Sequence, residues 1–572
     1  MSAMASRELH DPLLQQLLEE NLLTPQQAEE AGDEHARTGK SYRDILLDAE
    51  LLKEERLLDV IARHLGAELI SLHGLDIPAE TLKVVPPSVA RMYNMVPVHA
   101  DPGAVTLATC ELPGTEKVDE LRFVLTCDVN FAIASQADIK NAITHFYGDA
   151  DESIADMLAE LEEGLQKAGD LVEVKGGDEG AMLEASANAA PVVRFVNLVL
   201  FQAVQNRASD IHFEPFENEF KIRYRVDGAL YEMAPPPKHL ALPVTSRIKV
   251  IAGLNIADRR LPQDGRIQLP IAGRAIDFRV STLPTQFGES VVLRVLDRAT
   301  VSLDLENLGM PEDVFQYFTE DIDKPNGIII VTGPTGAGKT TTLYSALRRL
   351  NTVEWKLLTA EEPVEYDIEG IIQVPIQEAI GLKFSTVLRS FLRQDPDTIM
   401  VGEIRDIETA QIAIQASLTG HLVFSTLHTN DASGAVTRLI DMDVEPFLIS
   451  STLEAVLAQR LVRTICQKCK QTYAPKQELL DQLNLSATQV AGRQFYFGAG
   501  CAHCNHTGYR GRRGIYEYLR VRDPIRDLIN QRKPTLVIRD KAVELGMRTL
   551  REDGIRCILD GYTTAEEVLK YT

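Results

Sequence analysis

Positive charge is scarce in this sequence: 59 lysines and arginines stand against 83 aspartates and glutamates, a formal net charge of -24 over 572 residues. A protein that tracks nucleic acid needs a basic face for its polyanionic ligand, so this balance argues against that class and leaves room only for a local basic patch. Long apolar runs are missing as well. The longest uncharged stretch, Thr409–Asn430, is interrupted by Gln, Ser, Thr, Gly and His and does not read as a membrane span. The N-terminus, MSAMASRELHDPLLQQ, lacks a basic-then-apolar signal pattern. A cytoplasmic location is expected, with any link to a membrane made through partners. Cysteine is sparse too. Of seven cysteines, four fall in two C-x2-C pairs, which in a reducing compartment point to metal rather than disulfides. Cys110, Cys127 and Cys557 are expected to be core thiols.

One hydrophobic core rarely grows past ~250–300 residues, so a chain of this length should hold three or four domains. Residues 1–148 open with a repeat: Leu17–Ala28, LLEENLLTPQQA, aligns with Leu46–Leu57, LLDAELLKEERL. Each copy reads as a helix, a Leu-Leu turn and a second helix, with Thr24 as N-cap and Pro25 at the first helical position of the first copy. Such paired hairpins are either a docking or regulatory module or simply a small helical core. Alternating runs (MVPVHA, AVTLATC, VNFAIAS) and helices then complete an α+β domain. From Asp149 to Ala189 there are twelve acidic residues and two lysines, a charged linker over 149–190 with one helix expected around Ile154–Leu165. Residues 191–297 return to order as a compact α/β domain: a helix, PVVRFVNLVLFQAVQNR, then the strands FKIRYRV, YEM, Ile276–Val280 and Val291–Leu296. The stretch Asp297–Asn326 is expected to be flexible.

Residues 298–465 carry the phosphate chemistry. The apolar run GIIIVT leads into GPTGAGKTTTLYSAL, a G-x4-G-K-[ST] phosphate loop between a buried strand and a helix. Glycines let backbone N–H groups approach the phosphates, the helix N-terminus adds partial positive charge, Lys339 reaches the β/γ oxygens and Thr340 can ligate Mg²⁺. Gly333, Pro334, Thr335, Gly336, Ala337, Gly338, Lys339, Thr340 and Thr341 therefore form the expected nucleotide cradle. Four apolar strands (GIIIVT, KLLTAEE, DTIMVGE, HLVFSTLH) alternate with helices and predict a parallel RecA-like sheet. DTIMVGE ends in Glu403, a Walker B carboxylate suited to Mg²⁺. TAEEPVE puts Glu361 and Glu362 at another strand end, where one of them can orient or deprotonate water. His428 lies beyond a third strand, where α/β proteins bind ligands, whereas His421 reads as structural. Arg389, Arg393 and Arg405 are near Walker B, and position in the fold decides which of them meets phosphate.

In residues 466–572, Cys466-x2-Cys469 and Cys501-x2-Cys504 supply four soft ligands suited to tetrahedral Zn²⁺. The coordination sphere is closed, so the metal is structural. His503 and His506 could substitute but are not needed.

The segments ASDIHFEPFE, RRLPQDGR, GPTGAGKTTT, TAEEPVEY, LRQDPDTIMVGEIRD, LTGHLVFSTLHTNDA and the tetracysteine knuckle followed by TGYRGRRGIYE together resemble the bacterial secretion ATPases of the type II secretion and type IV pilus assembly class, the GspE/PilB superfamily. The resemblance runs from Pro191 to Thr572. SRIKVIAGLNIADRRLPQDGRI and VEPFLISSTLEAVLAQRLVRTIC look closer to the type II branch. It implies an ATP-hydrolysing homohexamer, with a RecA-like core, a preceding PAS-like α/β domain that packs over the nucleotide, an N-terminal docking domain and a C-terminal zinc-knuckle and helical region. By motif position it implies Lys339 and Thr340 as the Walker A pair, Glu361 as catalytic glutamate, Glu403 as Walker B carboxylate, His428 as the histidine-box residue, and Arg279 and Arg294 as arginines reaching the phosphates. The usual Glu-Asp-Pro reads Glu361-Glu362-Pro363 here. Implied partners are an inner-membrane platform protein and the cytoplasmic domain of a bitopic secretion or pilus component. The N-terminal repeats resemble a module that in some members binds cyclic di-GMP. Here Tyr42-Arg43-Asp44 stands at the second start, and Asn21 and Glu50 replace the later glycine, so docking is expected and cyclic di-GMP binding is not. The alternatives are pilus extension, then pilus retraction, a nucleic-acid motor, and a regulator with little turnover.

Overall fold

The computed structural model describes residues 12–20, 22–28, 31–32, 42–49, 51–52, 54–111, 113, 115–147, 186–233, 235–271, 274–297, 303–486, 490 and 492–572. The helix expected at 154–165 lies outside them, as do Asn21 and Glu50. The chain divides into two compact units, 1–299 and 300–572.

In the first unit the repeat is visible in the hydrogen bonds. Leu22 N–H donates to Leu17 O and, at the matching place in the second copy, Leu51 N–H donates to Leu46 O. Thr24 caps as expected, exchanging bonds with Gln27. Leu14, Leu17, Leu46, Leu57, Val60 and Ile61 form the core between these helices. A three-stranded sheet follows, with β1 (Val96–Asp101) antiparallel to β2 (Ala104–Thr109) and β2 parallel to β3 (Asp128–Ile133). The helix Ala190–Gln205 then leads into a six-stranded antiparallel sheet. Its strands are β4 (Ala208–Pro215), β5 (Phe220–Val226), β6 (Ala229–Glu232), β7 (Gln263–Ile271), β8 (Arg274–Thr285) and β9 (Gly288–Asp297), in the order β6-β5-β4-β9-β8-β7. β5 alternates buried Phe220, Ile222 and Tyr224 with more exposed Lys221, Arg223 and Arg225, the period of a sheet with one covered face.

The second unit holds a seven-stranded sheet: β10 (Gly327–Thr332), β11 (Leu357–Glu361), β12 (Ile371–Pro375), β13 (Thr398–Val401), β14 (Leu422–Leu427), β15 (Leu453–Ile465) and, after the short pair β16 (Lys470–Tyr473) and β17 (Phe495–Gly498), β18 (Tyr509–Arg520). The order is β12-β11-β13-β14-β10-β15-β18, parallel except for β18. β10, β13 and β14 are buried at every residue, as strands covered on both faces must be. Two findings differ from the sequence reading. The expected boundary after 465 falls between hydrogen-bonded strands, because β18 from the cysteine region completes the sheet. The stretch before the phosphate loop is not a loose connection over its described part: Glu312–Ile322 is a helix whose Val314, Phe318 and Ile322 are buried in the core.

Candidate active site

β10 delivers the phosphate loop. Its backbone pairs with β14 and β15 up to Thr332, and the chain turns at Gly333. A Cβ on Gly333 would meet Gln459 O at 2.6 Å and Ala337 Cβ at 3.0 Å, so glycine alone lets the loop run this close to β15. Pro334, Thr335 and Gly336 are exposed, and Gly338, Lys339, Thr340 and Thr341 are half-buried where the helix Lys339–Leu350 begins. That N-terminus directs free N–H groups and the positive end of the helix dipole at the loop. Lys339 Nζ donates to Gly333 O at 2.8 Å and Pro334 O at 3.2 Å. Burial pulls its pKa below the ordinary lysine value, with Glu403 opposing the shift and Arg460 adding to it.

Gln459 on β15 was not visible from the sequence as a site residue. Its buried amide donates to Ala337 O at 2.7 Å and accepts from Thr342 Oγ1 at 2.8 Å, tying the loop and its helix to the sheet. Thr332 Oγ1 donates to Leu427 O and receives Thr429 N–H at 2.9 Å, which fixes the segment carrying His428 beside the loop.

Glu403, just past β13, is the centre of a charged chain. Its Oε1 lies 2.5 Å from Arg405 Nη2 and its Oε2 3.4 Å from His428 Nε2. Arg405 Nη1 in turn reaches Glu362 Oε2 at 2.8 Å. Of the three arginines near Walker B, Arg405 alone among the described contacts touches Glu403; Arg389 pairs with Glu408 and Arg393 donates to Arg389 O. His421, at the opposite end of β14, bonds Ala416 O and has the structural place expected of it. Glu361 ends β11 as expected but turns its carboxylate into the interior, towards Tyr344, Thr359 and Gln373.

Arg279 and Arg294 belong to the first unit. They occupy one rung of the β8–β9 ladder, flanked by Arg266 on β7 and Asp210 on β4. Arg294 Nε meets Asp210 Oδ1 at 3.2 Å, and Arg225 shares the other oxygen of that carboxylate at 3.5 Å.

The sulfurs of Cys466, Cys469, Cys501 and Cys504 lie within 4.8 Å of one another. Cys466 and Cys501 are 3.9 Å apart, Cys469 and Cys504 3.8 Å, and Cys501 and Cys504 3.7 Å. Zn–S bonds of about 2.3 Å in a tetrahedron put sulfurs about 3.8 Å apart, so the four thiols fit zinc. His503 Nδ1 stands 3.7 Å from Cys466 Sγ.

Residues 185–570 match the family described as "Type II/IV secretion system protein", and residues 65–153 match the MshEN domain. A Myxococcus xanthus relative named "Type IV pilus assembly ATPase PilB" is 42% identical over 559 residues, 97% of this chain and 98% of that protein. A Xanthomonas campestris pv. campestris relative named "Type II secretion system protein E" is 42% identical over 578 residues, covering 100% of both chains. Among solved structures, the Yersinia pseudotuberculosis ATPase DotB superposes with a TM-score of 0.50 at 21% identity, over 66% of this chain and 94% of that one, a likeness of fold.

Proposed function

Because this chain belongs to the Type II/IV secretion system protein family, we propose that it hydrolyses ATP at the β10 loop and powers pseudopilus assembly for type II protein secretion. The observation that carries this reading is the convergence, at the C-terminal ends of the neighbouring strands β10, β13 and β14, of the phosphate loop with Lys339, the Glu403 carboxylate and His428. Mg²⁺ bound by Thr340 and Glu403 would neutralise phosphate charge; Lys339 and the loop N–H groups would hold the phosphates. The four thiols would hold one structural Zn²⁺ where β15 leaves the sheet and β18 returns to it.

A homohexamer is the working form in this reading, with Arg279 and Arg294 serving ATP turnover in the assembled ring. Its platform is an inner-membrane protein, with a bitopic component's cytoplasmic domain as the second partner, and the protein is cytoplasmic and reaches the membrane through them. Among the described residues no helix is long and apolar enough to cross a membrane. For the N-terminal repeats we keep docking rather than cyclic di-GMP binding, although an MshEN domain follows them. Arg43 is buried, with Glu54 at 2.6 Å and Gln136 at 3.1 Å, so its guanidinium serves the fold. Calorimetry of the full chain with cyclic di-GMP should show no binding heat.

The second reading is type IV pilus extension, which the equal identity of the Myxococcus relative favours. A strain carrying Lys339→Ala separates the two. Exported proteins trapped in the periplasm support the secretion role, loss of surface pili with normal export supports extension, and neither phenotype would contradict both.

A further inference from the structure

Three cations are buried among the described residues: Arg43, Lys249 and Arg460. Two of them have a carboxylate at ion-pair distance, Arg43 with Glu54 at 2.6 Å and Lys249 with Glu289 at 2.8 Å. Arg460, on β15 and 7% exposed, has none among the described residues, and its guanidinium bonds neutral oxygens. Nη1 donates to Gln459 O at 3.0 Å, and Nη2 donates to Asn430 O at 2.8 Å and Asn430 Oδ1 at 3.3 Å. The acidic groups whose fields reach it are occupied elsewhere: Glu517 accepts Ala432 N–H and Leu550 N–H, and Asp431 accepts Gly434 N–H at 2.7 Å. Holding a buried charge on neutral partners alone is costly unless an anion arrives to balance it.

What Arg460 touches says where that anion sits. A Cβ on Gly333 would lie 3.2 Å from Nη1, so the guanidinium stands against the first residue of the phosphate loop. Lys339 is close enough for the two positive charges to oppose each other, and negative charge in the loop relieves that opposition. On its other side Arg460 grips Asn430, two residues past His428. Thr429, between them, donates its N–H to Thr332 Oγ1 at 2.9 Å. The segment after β14 is therefore fastened at two successive residues, by the hydroxyl that precedes Gly333 and by the cation beside it.

Resting on the ATPase reading above, we propose that Arg460 is a positioning residue that also sets nucleotide preference: its charge, held on neutral oxygens, favours a triphosphate over a diphosphate, and its fork keeps the His428 segment against the loop that carries that phosphate. No direct contact with the nucleotide is required. In a medium less polar than water a charge acts over several ångströms, and the terminal phosphate brings further negative charge to this loop. Hydrolysis and release of that phosphate remove the balancing charge, so the diphosphate product is held less tightly than the substrate.

The test compares wild type, Arg460→Met and Arg460→Lys in the full chain, measuring calorimetric affinity for the ATP analogue AMP-PNP and for ADP, both with Mg²⁺, together with kcat and Tm. Arg460→Met should weaken AMP-PNP binding by about tenfold or more and ADP binding by less than about threefold, because the terminal phosphate loses the most from removal of the charge. Its Tm should stay near wild type or rise, since the cost of burying the charge is removed with it. Arg460→Lys retains the charge but has no planar fork to span Gln459 and Asn430, so it should keep the preference for AMP-PNP while kcat falls by about tenfold. Should Arg460→Met fail to fold, Arg460→Lys carries the test by itself. Equal weakening of both ligands, or a wild-type kcat in Arg460→Lys, would overturn the assignment and leave the ATPase reading standing. A wild type that binds neither nucleotide would overturn that reading.

Discussion

Arg279 and Arg294 stand directly opposite each other on β8 and β9. Like charges facing across an antiparallel pair destabilise it. Arg266 occupies the next place on the same row and pairs with Asp277 at 2.9 Å, and Asp210 at the other end is shared between Arg294 and Arg225. A row built in this way suits an anionic contact. Arg279→Ala should therefore lower ATP turnover far more than ATP affinity and leave Tm unchanged or slightly raised. Parallel loss of binding and Tm would show instead that the arginine serves only its own sheet.

Gln459→Leu should weaken nucleotide binding. It takes the Gln459 donor from Ala337 O and leaves Thr342 Oγ1 only its 3.4 Å bond to Gly338 O, and a buried unsatisfied group costs about 1–3 kcal/mol. If loosening of the phosphate loop takes up that energy, the Kd for ATP rises by roughly tenfold or more. Unchanged affinity by calorimetry would mean that the loop does not depend on this tie to β15.

Much of this site was legible in the sequence, and the misses have identifiable causes. GIIIVT is continuously apolar, so β10 could be read from composition and the loop after it from its spacing. The two C-x2-C pairs were equally direct. β15 was harder: Leu453–Ile465 is rich in Leu, Ala, Gln, Glu and Arg, which favour helix intrinsically, and it becomes a strand because β10 and β18 pair with it. Gln459 was hidden for that reason. The opposition of Arg279 and Arg294 was recoverable by counting outward from the β8–β9 turn, where Thr285 pairs with Gly288. The helix before the phosphate loop was also recoverable, since Val314, Phe318 and Ile322 recur at helical spacing behind Met310-Pro311. The interior turn of Glu361 was not, because Tyr344 and Gln373 come from other elements.

Metal analysis of freshly purified, reduced protein should give one zinc per chain. The four thiols end β15 and precede β18, so removing the metal should destabilise the last strand of the large sheet. Cys466→Ser or chelation should lower Tm and expose 466–572 to protease. Protein without zinc but with unchanged Tm would contradict a structural metal centre.

Glu517 on β18 is buried and accepts Ala432 N–H at 2.8 Å and Leu550 N–H at 3.2 Å. Burial raises its pKa above the ordinary carboxylate value, outweighing the lowering by those N–H groups. The folded state then holds this proton more tightly than the unfolded chain. The contribution of Glu517 to stability accordingly falls as pH rises from the ordinary carboxylate value through the raised one. Glu517→Gln does not titrate, so it should flatten that part of the Tm-against-pH curve. A slope identical to wild type would contradict the burial effect.

The most direct measurement is steady-state ATP hydrolysis by the purified full chain over a range of protein concentrations, with Lys339→Ala as comparison. A ring-forming ATPase whose phosphate loop lies between β10 and the helix at Lys339 should show specific activity that climbs steeply with concentration. Lys339→Ala should lower turnover by orders of magnitude while leaving Tm near wild type, since its Nζ lies on the phosphate loop. Activity in Lys339→Ala close to that of wild type would contradict the assignment of this loop, and concentration-independent turnover in the wild type would contradict hexamer-dependent catalysis.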